Sequence, residues 1–150
     1  MDARRFSVTP VGTVHAGRGV FSIEIAEPFR PALTELSGFG HMLVLWWCDG
    51  VDPQGEDLDP LGSEKPYTRG PDTIGIFATR SPVRPNPIAL SVAPVLGVDA
   101  AAGIIRVAYI DADDGTPVLD IKPYLPCNER VRDAKVPAWA SRWPQWYEEN

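Results

Sequence analysis

The stretch HMLVLWWC, from His41 to Cys48, is short and almost continuously apolar. A run of this length is typical of a β-strand that is buried on both faces. In the preceding segment, PFRPALTELSGF, Pro31 is placed to open a short helical turn and Gly38 to close it. We therefore expect a sheet with a covered central strand and little helix.

Further strand patterns lie on both sides of this run. The segment Val20–Ala26 alternates between apolar and polar residues, and IALSVAPVL places Ile88, Leu90 and Val92 on one face. The other candidate strands are TIGIFAT (73–79), GIIRVAYI (103–110) and VLDIKPYLP (118–126). About seven strands without a repeated helical crossover predict an all-β fold, a small closed antiparallel β-barrel with one short helix.

The 150 residues predict one domain, 1–150, with a long loop at 50–72 and a tail at 128–150. The loop holds four glycines and four prolines, and a structureless stretch of this length tends to be functional or mobile. In the aromatic tail, Trp139, Trp143 and Trp146 are spaced as on one helical face. These rings either cap the barrel or form a dimer contact, and burial in the chain's own core is the favoured interpretation.

Charge and composition exclude several classes of function. The net charge of −6 indicates that any contact with nucleic acid uses a local patch. No apolar run is long enough to span a membrane, and no secretion signal follows the first residues, so we expect a cytoplasmic protein. The two cysteines and two histidines give no metal signature, and the sequence has no P-loop or dinucleotide-binding glycine motif.

The segment GIFATRSPVRPNPIALSV, from Gly75 to Val92, is a proline-stiffened loop that carries two arginines and an asparagine. Arg80 follows a predicted strand, where a guanidinium suits bidentate recognition of a carboxylate or phosphate. Asn86 lies between two prolines and either satisfies backbone groups or contacts a ligand. The equally weighted alternative is that Arg80 and Arg84 pair with surface acids and that the prolines only shape a corner of the barrel.

The segment DADDGTPVLDIKPY, from Asp111 to Tyr124, combines four aspartates with Lys122. Its Asp-Gly pair is typical of a tight hairpin turn, and by pattern alone a turn with solvated charges is the favoured interpretation. The functional alternative is that the turn offers carboxylates and backbone groups to a ligand.

Together, these two segments closely resemble the signature pair of the TsaA-like proteins, also called YaeB or TrmO. FRPALTELSGFGHMLVLWW resembles an earlier segment of the same family, and the resemblance covers roughly Val11 to Pro126. It implies a small β-barrel that binds S-adenosylmethionine (SAM) without a Rossmann fold and forms a homodimer. It also implies methylation of the exocyclic N6 of threonylcarbamoyl-adenosine next to the anticodon of tRNA.

Carried over position by position, the resemblance implies a set of cofactor contacts: Arg80, Leu90, Asp114, Gly115, Thr116, Pro117, Asp49 and Gly50. Asp114 is also a weak candidate for a catalytic base. The expected substrate contacts are Arg84, Asn86, Arg69 and Lys122, and a basic patch would combine Arg80, Arg84, Arg69, Arg18 and Lys122.

The chain departs from the family pattern at three places. The proline-arginine-glutamine loop near the N-terminus is absent, Asp49-Gly50 replaces a His-Gln pair, and Ala89 replaces a glycine. Two alternatives therefore stay open beside a tRNA methyltransferase. One is a SAM-dependent methyltransferase that acts on a small molecule, and the other is a non-catalytic SAM-binding module.

Overall fold

The computed structural model describes residues 4–50 and 59–149. The chain divides into two compact units. The barrel unit comprises Met1–Val51 and Pro87–Glu129, and the loop-tail unit comprises Asp52–Asn86 and Arg130–Asn150. The strands, in chain order, are β1 (Gly12–Gly17), β2 (Val20–Ile25), β3 (His41–Trp47), β4 (Gly62–Glu64), β5 (Thr73–Gly75), β6 (Ile88–Asp99), β7 (Ile104–Val107) and β8 (Pro117–Pro123).

Six of these strands close into an antiparallel barrel in the order β1-β2-β7-β6-β3-β8. The predicted fold class is confirmed, with six strands in the barrel in place of about seven. The interior is filled by aliphatic side chains from every barrel strand, because alternate residues of a strand face the same side. In β2, Ile23 and Ile25 are buried and Glu24 is exposed, as the alternation predicts.

Strand β3 lies between β6 and β8, and its central residues Met42 and Val44 are fully buried. In β6, Ala93 faces the core, whereas Ile88 and Leu90 are 40% and 38% exposed. The apolar face predicted for β6 is therefore an outer face of the barrel. The Trp46 side chain of β3 is held by a hydrogen bond that its indole Nε1–H donates to Ser91 Oγ, at 3.0 Å.

The connection between β2 and β3 is helical but differs from the prediction. A 3₁₀ helix spans Glu27–Leu33, and a second one spans Leu36–Gly38. The first begins at Glu27, ahead of Pro31, because Pro28 already supplies the fixed φ angle that suits the start of a helix. An α-helix, α1, spans Pro126–Glu129. No helix in the described part of the chain is long and apolar enough to cross a membrane.

In the loop-tail unit, β4 and β5 form a two-stranded antiparallel sheet. Strand β4 lies within the stretch predicted to be a structureless loop, and residues 51–58 of that stretch lie outside the described residues. The predicted strand 73–79 ends at Gly75, because a 3₁₀ turn, Ile76–Ala78, follows it.

The tail packs on the long loop of its own unit. Trp139 stacks on Tyr67 with ring centroids 5.1 Å apart, and Trp143 contacts both rings edge-on at 5.4 and 5.0 Å. Trp146 is 56% exposed. Trp139 and Trp143 therefore pack within their own unit, but the favoured prediction of burial in the core is wrong for Trp143 and Trp146, which are both exposed. The single-domain boundary stays a prediction.

Candidate functional site

The turn that leads into β8, Asp113–Thr116, is the first part of the candidate site. The Thr116 N–H donates to the Asp113 carbonyl at 3.2 Å, which closes a four-residue turn. Gly115, the third residue, has a φ of +86°, a left-handed conformation that disfavours any side chain. A tight turn is therefore present at the Asp-Gly pair, but the predicted hairpin is wrong, because β7 and β8 are not neighbours in the barrel.

This turn is fastened to β1 by three hydrogen bonds. The Gly115 N–H donates to the Val14 carbonyl at 2.8 Å, and the Val14 N–H donates to the Thr116 carbonyl at 2.9 Å. The Asp114 side chain adds a third bond, because its Oδ1 accepts from the Ala16 N–H at 3.0 Å. Asp114 thus holds the turn against a strand that is 98 residues away in the sequence.

His15 was not singled out by the sequence, yet it borders the turn. Its Nδ1 lies 3.8 Å from Asp114 Oδ1, and its Nε2 lies 2.9 Å from Glu24 Oε2. A signal for the second contact was present, since a tight β1–β2 hairpin places His15 opposite Ser22, two residues from Glu24. The contact with Asp114 depends on closure of the barrel and has no local signal.

The ladders on either side of β3 bring the other barrel-unit candidates to the same end. Trp46 pairs with Val118 of β8, and Trp47 pairs with Ile88 at the start of β6. The end of β3 therefore adjoins the beginnings of β6 and β8. Asp49 and Gly50 follow β3, Leu90 is the third residue of β6, and Gly115, Thr116 and Pro117 lead into β8.

The two glycines of this cluster leave room for a ligand. Gly50 has a φ of +79°, and a Cβ atom added to either Gly50 or Gly115 would meet no atom within 4 Å among residues 4–50 and 59–149. The side of each glycine on which a side chain would lie therefore faces open space in the described part of the chain, which allows close approach of a bound group. Leu90 contributes an apolar side chain that is 38% exposed. These features fit an adenosyl ligand, which needs an apolar surface and backbone groups within reach.

Arg80 belongs to the loop-tail unit and follows a loop corner braced by its own side chains. The buried Thr79 donates from Oγ1 to the Ile76 carbonyl at 2.9 Å and accepts from the Ser81 N–H at 3.2 Å. Arg84 Nη1 donates to the carbonyls of Thr79 and Ser81 at 3.3 and 3.5 Å. Arg84 therefore stabilises the loop, while the Arg80 side chain is exposed.

The remaining predicted substrate contacts fall in both units. Arg69 and Asn86 are exposed in the loop-tail unit, and Lys122 lies on β8 of the barrel unit. Lys122 Nζ lies 2.6 Å from Asp120 Oδ2, and the hydrogen bond that Lys122 donates to Asp120, with the attraction of its charge, raises the pKa of Lys122 above its usual value. Arg18, in the turn between β1 and β2, also belongs to the barrel unit.

A metal centre is not assembled by the residues that the structure describes. No group of three or more histidine, cysteine, aspartate or glutamate side chains within ranges 4–50 and 59–149 could hold a metal ion. Cys48 is buried, Cys127 is exposed, and neither is part of a disulfide bond.

Comparison with known proteins identifies a family and several relatives that this chain resembles in sequence. Residues 4–129 match the family model described as the tRNA-methyltransferase O N-terminal domain. A probable SAM-binding protein of Archaeoglobus fulgidus is 34% identical over 149 residues, covering 97% of this chain and 35% of that protein. A tRNA (adenine(37)-N6)-methyltransferase of Eikenella corrodens is 41% identical over 104 residues, covering 69% of this chain and 57% of that enzyme.

Solved structures agree with these matches. A crystal structure of TrmO from Pseudomonas aeruginosa superposes with a TM-score of 0.67 at 30% identity, covering 88% of this chain and 62% of that chain. The chain spans about a third of the Archaeoglobus relative's length and less than two thirds of the Eikenella and Pseudomonas proteins.

Proposed function

Because the chain belongs to the family of tRNA-methyltransferase O N-terminal domains, we propose that it binds SAM and methylates RNA. The proposed acceptor is the exocyclic N6 of threonylcarbamoyl-adenosine beside the anticodon of a tRNA. The same family membership favours a cytoplasmic homodimer as the working form, which sedimentation would detect as twice the mass of one chain.

The observation that carries this proposal is the gathering of two open glycine turns and an exposed leucine at one end of the barrel unit. The register around β3 brings Asp49, Gly50 and Leu90 to the same end as the turn Asp113–Thr116. An apolar wall beside two accessible stretches of backbone suits an adenosine, whose flat base is apolar on its faces and polar at its edge.

Bound SAM supplies a methyl group on a positively charged sulfur, ready for in-line displacement. The protein's contribution is then to position the reacting groups. Arg80 is proposed to hold the methionyl carboxylate, since a guanidinium binds a carboxylate through two parallel hydrogen bonds. Asp114 uses Oδ1 to hold the turn, and its Oδ2 is the proposed acceptor for the proton that leaves the nitrogen nucleophile.

The test is calorimetric titration of the purified chain with SAM, performed on the wild type and on Arg80→Ala and Arg80→Lys. We expect both variants to bind more weakly, because lysine keeps the charge and loses the two-pronged geometry. Arg5→Ala, which removes an exposed arginine elsewhere, is the matched control and keeps the wild-type affinity. Absence of binding in a folded, cofactor-free wild type refutes the proposal.

The acceptor is tested with radiolabelled SAM and tRNA that either carries or lacks threonylcarbamoyl-adenosine. Label incorporated only into the modified tRNA supports the proposed acceptor. A second candidate is a small-molecule acceptor, favoured by the net charge of −6 and by the pairing of Lys122 with Asp120, which neutralises one predicted phosphate contact. SAM binding without transfer to either tRNA would support that candidate, or a SAM-binding module without catalysis.

A further inference from the structure

One segment of the tail, residues 130–142, carries a net positive charge opposite to that of the chain, although Glu129, Glu148 and Glu149 make the whole tail neutral. Residues 130–149 lie beyond the family match, which ends at residue 129. Between residues 130 and 142 the tail has one acid, Asp133, and four exposed cations: Arg130, Arg132, Lys135 and Arg142. In a chain of net charge −6 this segment is a local basic stretch of sequence, and its four cations are exposed. Charge complementarity favours a polyanion as its partner.

The same segment presents aromatic rings on a braced support. Trp143 is fixed by edge-on contacts to Tyr67 and Trp139, yet it is 48% exposed. The next turn is held by the Gln145 N–H, which donates to Glu149 Oε2 at 3.3 Å. Such anchoring reduces the entropy that a partner's binding would cost.

A shallow, open cavity of about 510 Å³ lies among these rings and is lined by Trp143, Pro144, Gln145, Trp146 and Tyr147. Trp146 and Tyr147 are 56% and 42% exposed. The Arg130 guanidinium lies over the Trp146 ring, with its Cζ 5.7 Å from the ring centroid. The cavity therefore combines flat aromatic surfaces, an amide side chain and an adjacent cation.

We propose that this cavity binds an unpaired nucleobase of an RNA strand whose phosphates contact the tail cations. Aromatic and guanidinium planes stack on bases, and single-stranded nucleic acids are bound by such surfaces flanked by positive charge. An apolar protein partner would bury the four cations at a cost in desolvation. The choice of RNA rests on the proposed function, whereas the cavity and the four exposed cations are features of the tail alone.

The test measures fluorescence anisotropy of a labelled eight-nucleotide single-stranded RNA and of the same sequence as a duplex. We expect the wild-type chain to prefer the single strand, and Trp146→Ala to weaken binding about fivefold or more, since each stacked base contributes at least that much. Trp146→Phe keeps a stacking ring and restores most of the affinity. Phe6→Ala, which removes an aromatic side chain that is 86% exposed elsewhere, is the matched control and has no effect.

The charge contribution is tested by salt dependence. Arg132→Ala and Lys135→Ala each reduce the slope of log affinity against log salt concentration by about 0.7, the value for one lost phosphate contact with a single strand. Arg4→Ala leaves the slope unchanged. Equal binding of duplex and single strand, or no effect of Trp146→Ala, overturns the proposal.

Two further measurements keep the outcomes distinct. SAM titration of Trp146→Ala is expected to match the wild type, because Trp146 is not among the proposed cofactor contacts. Absence of SAM binding in the wild type would refute the proposed function. The RNA measurements would then still decide whether the tail cavity binds a single strand. Sedimentation that shows Trp146→Ala separating a dimer into monomers assigns the ring to a subunit contact and overturns the proposal.

Discussion

Three glycines with nearly the same backbone conformation allow a matched test of the candidate cofactor site. Gly19, Gly103 and Gly115 have φ angles of +76°, +77° and +86°. A Cβ atom at Gly19 or Gly115 would meet nothing within 4 Å, whereas at Gly103 it would lie 2.7 Å from the carbonyl oxygen of Ile25. Alanine therefore takes a left-handed φ at all three positions and meets a steric collision at one.

The expected losses of stability follow from this geometry. A left-handed alanine costs about 1–2 kcal/mol, and part of this is offset because alanine reduces the entropy of the unfolded chain. We expect Gly19→Ala and Gly115→Ala each to lower the free energy of unfolding by about 1 kcal/mol, or about 3 °C in melting temperature. Gly103→Ala should cost about 1–3 kcal/mol more, because a backbone carbonyl cannot move aside easily.

Binding separates Gly115 from Gly19. If the turn Asp113–Thr116 contacts SAM, the new methyl group at Gly115 projects into the space that the ligand occupies. We expect the affinity of Gly115→Ala for SAM to fall by about tenfold or more, equivalent to about 1.4 kcal/mol, while Gly19→Ala stays within about twofold of the wild type. Thermal unfolding and calorimetry at 25 °C measure the two effects separately. Equal affinities for the two variants would refute the placement of the cofactor at this turn.

Three further variants test individual contacts. Asp114→Ala should lower the free energy of unfolding by about 1 kcal/mol and weaken SAM binding, whereas Asp114→Asn keeps an acceptor for the turn and loses less; chemical denaturation measures the difference. Ser91→Ala leaves the indole N–H of Trp46 without its partner and should cost about 1–2 kcal/mol, and Trp46→Phe should cost less in the Ser91→Ala background than in the wild type, because the hydrogen bond is already lost there. Asp120→Asn should lower the pKa of Lys122 toward its usual value in NMR titration. Because folding raises the pKa of Lys122, the stability that the pair contributes is complete below pH 10.5 and is lost as the pH rises through the folded-state pKa. Asp120→Asn should remove this pH dependence of stability.

The barrel strands were predictable because burial imposes a pattern on the sequence. The alternation in β2 and the apolar run of β3 reflect one-sided and two-sided burial, respectively. Strand β4 left no such signal, because Gly62, Ser63 and Glu64 form a short strand without an apolar pattern. Its partner, β5, follows only after the connecting segment 65–72. In β6, alternation identified the shared face of Ile88 and Leu90 but not that this face is the outer one.

The turn Asp113–Thr116 was predictable for a local reason, because an Asp-Gly pair favours a backbone with positive φ. Its anchoring was not, since Asp114 bonds the backbone of Ala16 across the closed barrel. Arg84 also differs from expectation. Its contacts with the Thr79 and Ser81 carbonyls depend on how the buried Thr79 side chain turns the loop, which residue types alone do not reveal.

The closure of the barrel has a consequence for hydrogen exchange. Strands β1 and β8 pair at only two positions, Gly12 with Val118 and Thr13 with Pro117, the shortest ladder among the described barrel strands. The hydrogen bonds between Val14 and the turn Asp113–Thr116 extend this ladder, so the turn helps to hold β1 and β8 together where the barrel closes. Local opening at this seam would then break the hydrogen bonds of the turn and of the β1–β8 ladder together, and their amide protons would exchange as one unit. A ligand held by the turn would slow that exchange, so that occupancy and barrel closure reinforce each other.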